Sequence, residues 1–186
     1  RVTFEDLTIS TAKYGLRTYS PVREVIVRNC RFMYCGSQGI PANHDPLANG
    51  LTGADMAAKF AAATEISNGG GCRVQCTHRA QITNCQVEYC LRAIRVQSAS
   101  GGGTRVSDCS VANCSDNGIY FTGVTGGSVQ GNHIHNVLHQ GLLLIGCSDV
   151  TCQGNTVIKT AGAGIQVFSS AQVRFTGTVS YTHLTL

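Results

Sequence analysis

Tryptophan is absent from this chain, proline occurs only 3 times in 186 residues, and just 13% of residues are charged. Low charge combined with 42% hydrophobic residues excludes a disordered chain, which needs the opposite balance. Lys and Arg total 14 against 10 Asp and Glu, and the net charge of +4 is scattered rather than clustered. A chain without a basic patch gives no footprint for nucleic acid, so none is expected as a partner. No apolar run approaches the length that spans a bilayer and no signal peptide is visible, so no membrane partner is expected either. The first residue is Arg1 rather than Met, and the chain therefore reads as a fragment whose destination its ends do not disclose. Its length suits one domain with a sizeable core.

What the chain does have is glycine, 22 residues of it, and a repeat. The stretches "VRNCRFMYC", "ITNCQVEYC" and "VSDCSVANC" begin at Val27, Ile82 and Val106. The residue before the first cysteine of each is Asn29, Asn84 or Asp108; steps of 23 extend the column to Asp6, Gly131, Gly154 and Gly177. All seven are Asn, Asp or Gly, the residues that tolerate a left-handed backbone in a tight turn. Two residues earlier stand Phe4, Val27, Ile82, Val106, Val129, Cys152 and Phe175, and three residues later Ile9, Phe32, Val87, Val111, Ile134 and Val157. Further on, a "GI" or "AI" pair opens another short apolar strand at Ile40, Ile94, Ile119, Leu142 and Ile165. Each unit therefore holds three short alternating strands and no helix. A unit this small cannot bury its apolar face alone, so successive units must stack, as coils of a parallel β-helix do.

The pattern "V-x-N-C-x-V … G-I-x-V" resembles the right-handed parallel β-helix of the pectin-lyase-like superfamily, from Phe4 to about Val179. The fold expected is all-β: a single solenoid of six to seven coils of roughly 23 residues, interrupted by one insertion. The resemblance implies a carbohydrate-active protein acting on a polysaccharide as a lyase, epimerase or glycoside hydrolase. The alternative it leaves open is a non-catalytic glycan-binding spike, adhesin or structural rod. It implies an extracellular, periplasmic or virion-surface location, leaves calcium open as a cofactor, and leaves oligomerisation to regions outside the chain.

Cysteine, 10 residues in all, recurs in two columns five apart. The first runs Leu7, Cys30, Cys85, Cys109, Asn132, Asn155 and Thr178, and the second Ala12, Cys35, Cys90, Cys114, Val137 and Thr160. Metal ligands or disulfide partners would not be exchanged for leucine and alanine between coils, so these are expected as free thiols facing the core. "CRVQC", Cys72 to Cys76, lacks the second pair a zinc site needs and is read as structural. His133 and His135, two apart on a strand, share an outward face.

From Cys30 to Cys85 is 55 residues, one coil and an excess of 32 that follows Ile40. This insertion, about residues 41–71, is rich in helix formers from Asp55 to Glu65 and is expected as a protruding loop with one helix. In the resembled fold the substrate groove runs along the outside of the strand that here reads "GI-x-V". The resemblance thus points to Arg95, Tyr120 and Asp116, with His44 and Asp45 from the insertion, as catalytic candidates. Arg92, His139, Gln140, Gln166 and Lys159 are the substrate-binding candidates, and no metal ligands are assigned. Arginine beside tyrosine suits a uronate: a cation neutralises the carboxylate, and a base then takes the adjacent carbon-bound proton. Hydrolysis would instead use paired carboxylates, with Asp45 and Asp116 available. After Val179 the repeat is lost, and 180–186 are expected to be a non-native or unstructured tail, the natural protein continuing for further coils.

Overall fold

In a computed structural model the described residues, 1–12, 14–19, 22–35 and 70–181, form a right-handed parallel β-solenoid of about 6 turns, about 23 residues each. The first coil contains β1 (Val2–Glu5), β2 (Thr8–Ser10) and β3 (Tyr14–Arg17), and the second β4 (Glu24–Arg28), β5 (Arg31–Met33) and β6 (Gly70–Gln75). The third holds β7 (Arg79–Thr83), β8 (Gln86–Glu88) and β9 (Ile94–Gln97); the fourth β10 (Thr104–Ser107), β11 (Ser110–Cys114) and β12 (Ile119–Thr122). The fifth holds β13 (Thr125–Gln130), β14 (His133–Val137) and β15 (Leu142–Ile145); the sixth β16 (Ser148–Gln153), β17 (Thr156–Thr160) and β18 (Ile165–Phe168). β19 (Arg174–Thr176) and β20 (Val179–Tyr181) begin another. Corresponding strands stack into three parallel sheets; the third, from β3 through β6, β9, β12 and β15 to β18, positions the candidate site.

The turn column behaves as its residue types require. Asp6, Asn29, Asn84 and Asp108 have φ of 55°, 51°, 51° and 56°, and Gly131, Gly154 and Gly177 have 63°, 61° and 57°. Apolar side chains then fall in register inside. Val27, Ile82, Val106 and Val129 stack from the first sheet, and Phe32, Val87, Val111 and Ile134 from the second. All eight are fully buried. The "GI" signature has a steric cause. Residues 118 and 119 both face inward at a tight corner, and a Cβ on Gly118 would lie 2.5 Å from the Gly141 carbonyl oxygen.

Two boundaries differ from the sequence reading. The third strand of the second coil is β6, in which Cys72 pairs with Ile94 and holds the place expected for Ile40, which lies outside the described residues. The insertion therefore precedes this strand rather than following it, and Gly70 and Gly71 belong to the solenoid. The reason is local: "CRVQ" at 72–75 repeats "IRVQ" at 94–97, a better match than the segment after Ile40. At the other end Ser180 and Tyr181 extend β20 and pair with Val157 and Ile158, so the solenoid runs two residues into the expected tail. The helix expected over 55–65 lies outside the described residues, and so do residues 182–186.

All ten cysteines are free and buried, as expected of core thiols. They are more than filler. The thiols of Cys30, Cys85 and Cys109 lie 3.1, 3.3 and 3.3 Å from the carbonyls of Arg28, Thr83 and Ser107 in their own coils, and 3.7, 3.8 and 3.7 Å from those of Phe4, Val27 and Ile82 on the coil beneath. Asn132, Asn155 and Thr178 make the equivalent bonds to Val106, Val129 and Cys152 at 3.0, 2.9 and 3.2 Å. Cysteine, asparagine and threonine exchange within this column because each can donate at that point. The "CRVQC" cysteines, Cys72 and Cys76, are buried in the same core.

Candidate functional site

The outward column of the third sheet is Arg17, Arg73, Arg95, Tyr120, Leu143 and Gln166, paired in that order. Strand stacking sets neighbours ~4.8 Å apart, so three guanidinium groups and a phenol share one short track. The Arg95 guanidinium carbon lies 4.8 Å from the centre of the Tyr120 ring, within cation–π range. Arg73 donates from Nε to Gln97 Oε1 at 3.1 Å. Arg17 lies 4.5 Å from the Tyr14 ring and 4.2 Å from the Tyr19 ring. None of the three arginines forms an ion pair with a carboxylate among the described residues. Burial lowers the Arg95 pKa from its ordinary value, Arg73 and Arg92 add to that, and Tyr120 and Asp116 oppose it. Cations are crowded here without anions to match.

Beside the track, at the corner entering the third sheet, Asp116 is held from three sides. Arg92 Nε donates to its Oδ2, Asn117 Nδ2 donates to Oδ1 at 2.8 Å, and His139 Nδ1 lies 3.3 Å from Oδ1. Arg92, Asp116 and His139 come from three successive coils, brought together by the 23-residue period. Burial pushes the Asp116 carboxyl up, but the bond from His139 and the charge of Arg92 outweigh it, and the pKa lies below the ordinary value. A carboxylate accepts only, so the facing Nδ1 of His139 carries the proton and Nε2 is the basic atom of the ring. Both Asp116 carboxylate oxygens are thus engaged within the fold, and the residue is 7% exposed.

The structure joins Arg92, Asp116 and His139 at the corner entering the third sheet and sets Arg95 beside Tyr120 on it. Gln140 is buried, and its Oε1 has no hydrogen-bond partner among the described residues. Gln166 is in the column but two coils beyond Tyr120, with Leu143 between them only 6% exposed. Lys159 stands apart, exposed at the end of β17 on the corner leaving the second sheet, with φ of 53°. His44 and Asp45 lie outside the described residues. Tyr14, Arg17 and Tyr19 escape the sequence pattern because the strand there carries "GL" rather than "GI" or "AI", and Arg73 does so because Cys72 holds the place expected for Ile40. The signal was present in "GLR", "GCR" and "AIR" at 15–17, 71–73 and 93–95. His133 and His135 do share a face, their rings 6.4 Å apart and 9° from parallel.

A family model described as a right-handed β-helix region matches residues 52–180. The chain belongs to the right-handed β-helix family. No curated protein and no solved structure matches this β-helix.

Proposed function

We propose that this β-helix acts on an acidic polysaccharide laid along the outer face of the third sheet, with Arg95, Tyr120 and His139 at the reacting unit. The observation that carries this reading is the register of Arg17, Arg73 and Arg95, three cations in one column without carboxylate partners among the described residues. Arg95 pairs with a sugar carboxylate and withdraws charge from the carbon bearing it, which makes the proton on that carbon more acidic. His139, its Nδ1–H fixed on Asp116, takes that proton at Nε2, and Asp116 stabilises the imidazolium that forms. The electron pair released forms a carbon–carbon double bond as the glycosidic oxygen leaves with a proton from the Tyr120 hydroxyl; return of a proton to the opposite face instead gives an epimer. Hydrolysis by paired carboxylates is less well supported, since Asp116 is engaged on both oxygens.

A binding-only reading draws on the lower half of the same column: Arg17 and Arg73 lie on coils below Arg95, suited to grip rather than to proton transfer. One assay separates the two. The 186-residue chain is incubated with polyuronates in deuterated water, and unsaturated product and deuterium uptake are followed. Chemistry that falls at least tenfold in both Arg95→Ala and His139→Ala supports the catalytic reading. Binding without product or exchange supports the non-catalytic one, and activity unchanged in both variants rejects the site.

A further inference from the structure

Arg17 is set apart from the other arginines of its column by its surroundings. Tyr14 opens its strand and Tyr19 lies two residues past the strand's end, and both rings lie within cation–π distance of the guanidinium. Arginine normally loses rotamer freedom when it is fixed by a ligand; here two aromatic rings restrict it beforehand. The backbone under the group is also fixed. Thr18 is 7% exposed, its hydroxyl donates to the Gln75 carbonyl at 3.1 Å, and it accepts from the Gln75 N–H at 3.1 Å. The tyrosines supply no countercharge, and no carboxylate pairs with Arg17 among the described residues. Arg17 Nε and the Tyr14 hydroxyl are buried donors with no hydrogen-bond partner there. Such donors left unsatisfied cost stability, and they define a site that an acceptor-rich anion completes.

We infer that Tyr14, Arg17 and Tyr19, continued by Arg73, form an anion-binding subsite distinct from the reacting unit, which takes a carboxylate or sulfate on a polysaccharide. It rests on the reading that a polysaccharide lies along the third sheet. Arg17 and Arg95 are two coils apart, ~10 Å by strand spacing, so a chain gripped at Arg17 reaches Arg95 with a neighbouring unit. One cation per coil over three coils selects a glycan with anions on successive units over one with isolated charges. The planar guanidinium fork matches both carboxylate and sulfate geometry, and the exposed ring of Tyr19 offers an apolar face beside it. Sugar rings present apolar faces next to their charged groups, which suits such a surface.

The test is binding of the 186-residue chain to polygalacturonate, dextran sulfate, neutral dextran and a single-stranded polynucleotide, measured by titration calorimetry at two salt concentrations. Arg17→Gln is expected to weaken binding to at least one acidic glycan about tenfold, while Arg28→Gln, an exposed arginine of the first sheet, does not. Tyr19→Ala is expected to weaken it about two- to fivefold and Tyr19→Phe to retain it, since the ring and not the hydroxyl holds Arg17. Circular dichroism of each variant reports whether the fold is kept. Preference for polygalacturonate or for dextran sulfate identifies carboxylate or sulfate as the group recognised. If Arg17→Gln binds as well as the parent while Arg95→Gln does not, the subsite is rejected and the groove reading stands. If only neutral dextran binds, both are rejected. Equal, Arg17-dependent binding of the polynucleotide rejects a glycan-selective subsite.

Discussion

Cys109 and Asn132 stand one coil apart and do the same work. The Cys109 thiol lies between the Ile82 carbonyl at 3.7 Å and the Ser107 carbonyl at 3.3 Å, Asn132 donates to the Val106 carbonyl at 3.0 Å, and the Cys109 N–H donates to Asn132 Oδ1 at 3.0 Å. The amide does more than the thiol, because it also accepts from the backbone of the coil below. Asn132 is 1% exposed, so removing its amide leaves these groups buried and unpaired. Asn132→Ala is expected to cost about 2–4 kcal/mol in urea denaturation. Asn132→Cys should cost less, because the thiol keeps a donor, and Cys109→Asn is expected to be tolerated. Equal losses for Asn132→Ala and Asn132→Cys would show that volume alone matters in this column.

The thiols should be quiet because they are buried, although hydrogen bonding lowers two of them, Cys35 to about 7 through Cys90 and Cys85 through Cys109. Burial pushes Cys76 up to about 11 and both Cys114 and Cys152 up to about 12. The thiolate is the reactive form, so at pH 8 these residues are almost wholly protonated as well as inaccessible. Iodoacetamide should label few of the ten in the native chain and all ten after denaturation without reductant. A denatured, unreduced chain with clearly fewer than ten reactive thiols would contradict the free-thiol core.

How much of this was legible in the sequence depended on which residues make the turns. Asn29, Asn84 and Asp108 announce a left-handed backbone because those side chains tolerate it, and the coil count followed from them. The next corner is also left-handed, at Thr11, Tyr34, Tyr89, Asn113, Asn136 and Lys159, with φ between 52° and 55°. It was invisible, since tyrosine, threonine and lysine carry no such preference and tertiary stacking imposes it; Tyr34 and Tyr89 stack 5.1 Å apart. At the site, Arg95 and Tyr120 could be aligned because each follows an isoleucine at equivalent positions. Arg17 and Arg73 could not, once the insertion was placed after Ile40. The Asp116 cluster needed coordinates: side chains from Arg92 and His139 meet there only because the coil period stacks three corners.

The inward corner of the third sheet gives a sharp steric prediction. A Cβ on Gly141 would sit 2.2 Å from Val157 Cγ1 and 2.8 Å from the Gly164 carbonyl oxygen. The carbonyl cannot withdraw without breaking the stacking of the next coil, so Gly141→Ala should cost about 1–3 kcal/mol. A Cβ at Gly154, at an exposed turn, meets nothing within 4 Å but takes a φ of 61°. Gly154→Asn should therefore be milder than Gly141→Ala, since asparagine accepts that backbone as Asn29 and Asn84 do. The reverse order of denaturation midpoints would show that backbone strain, not corner packing, dominates the glycine requirement.

Asp116 links the candidate site to pH. Its carboxyl titrates near ~3.9 in an unfolded chain and lower in the fold, where His139 and Arg92 outweigh the burial that opposes them. A carboxyl depressed by folding adds stability at pH values above its unfolded pKa, and that contribution is lost as pH falls through the folded one. Asp116→Asn should therefore destabilise the protein by about 1–3 kcal/mol at neutral pH, where Arg92 loses its charged partner, and progressively less below about pH 4. Denaturation midpoints of parent and variant measured from pH 7 to pH 3 should converge on the acid side. A gap that stays constant over that range would mean Asp116 matters through its shape and hydrogen bonds alone. The variant also separates positioning from binding: without the carboxylate His139 loses its fixed tautomer, so any turnover should fall while affinity for an acidic glycan, carried by the arginine column, is retained.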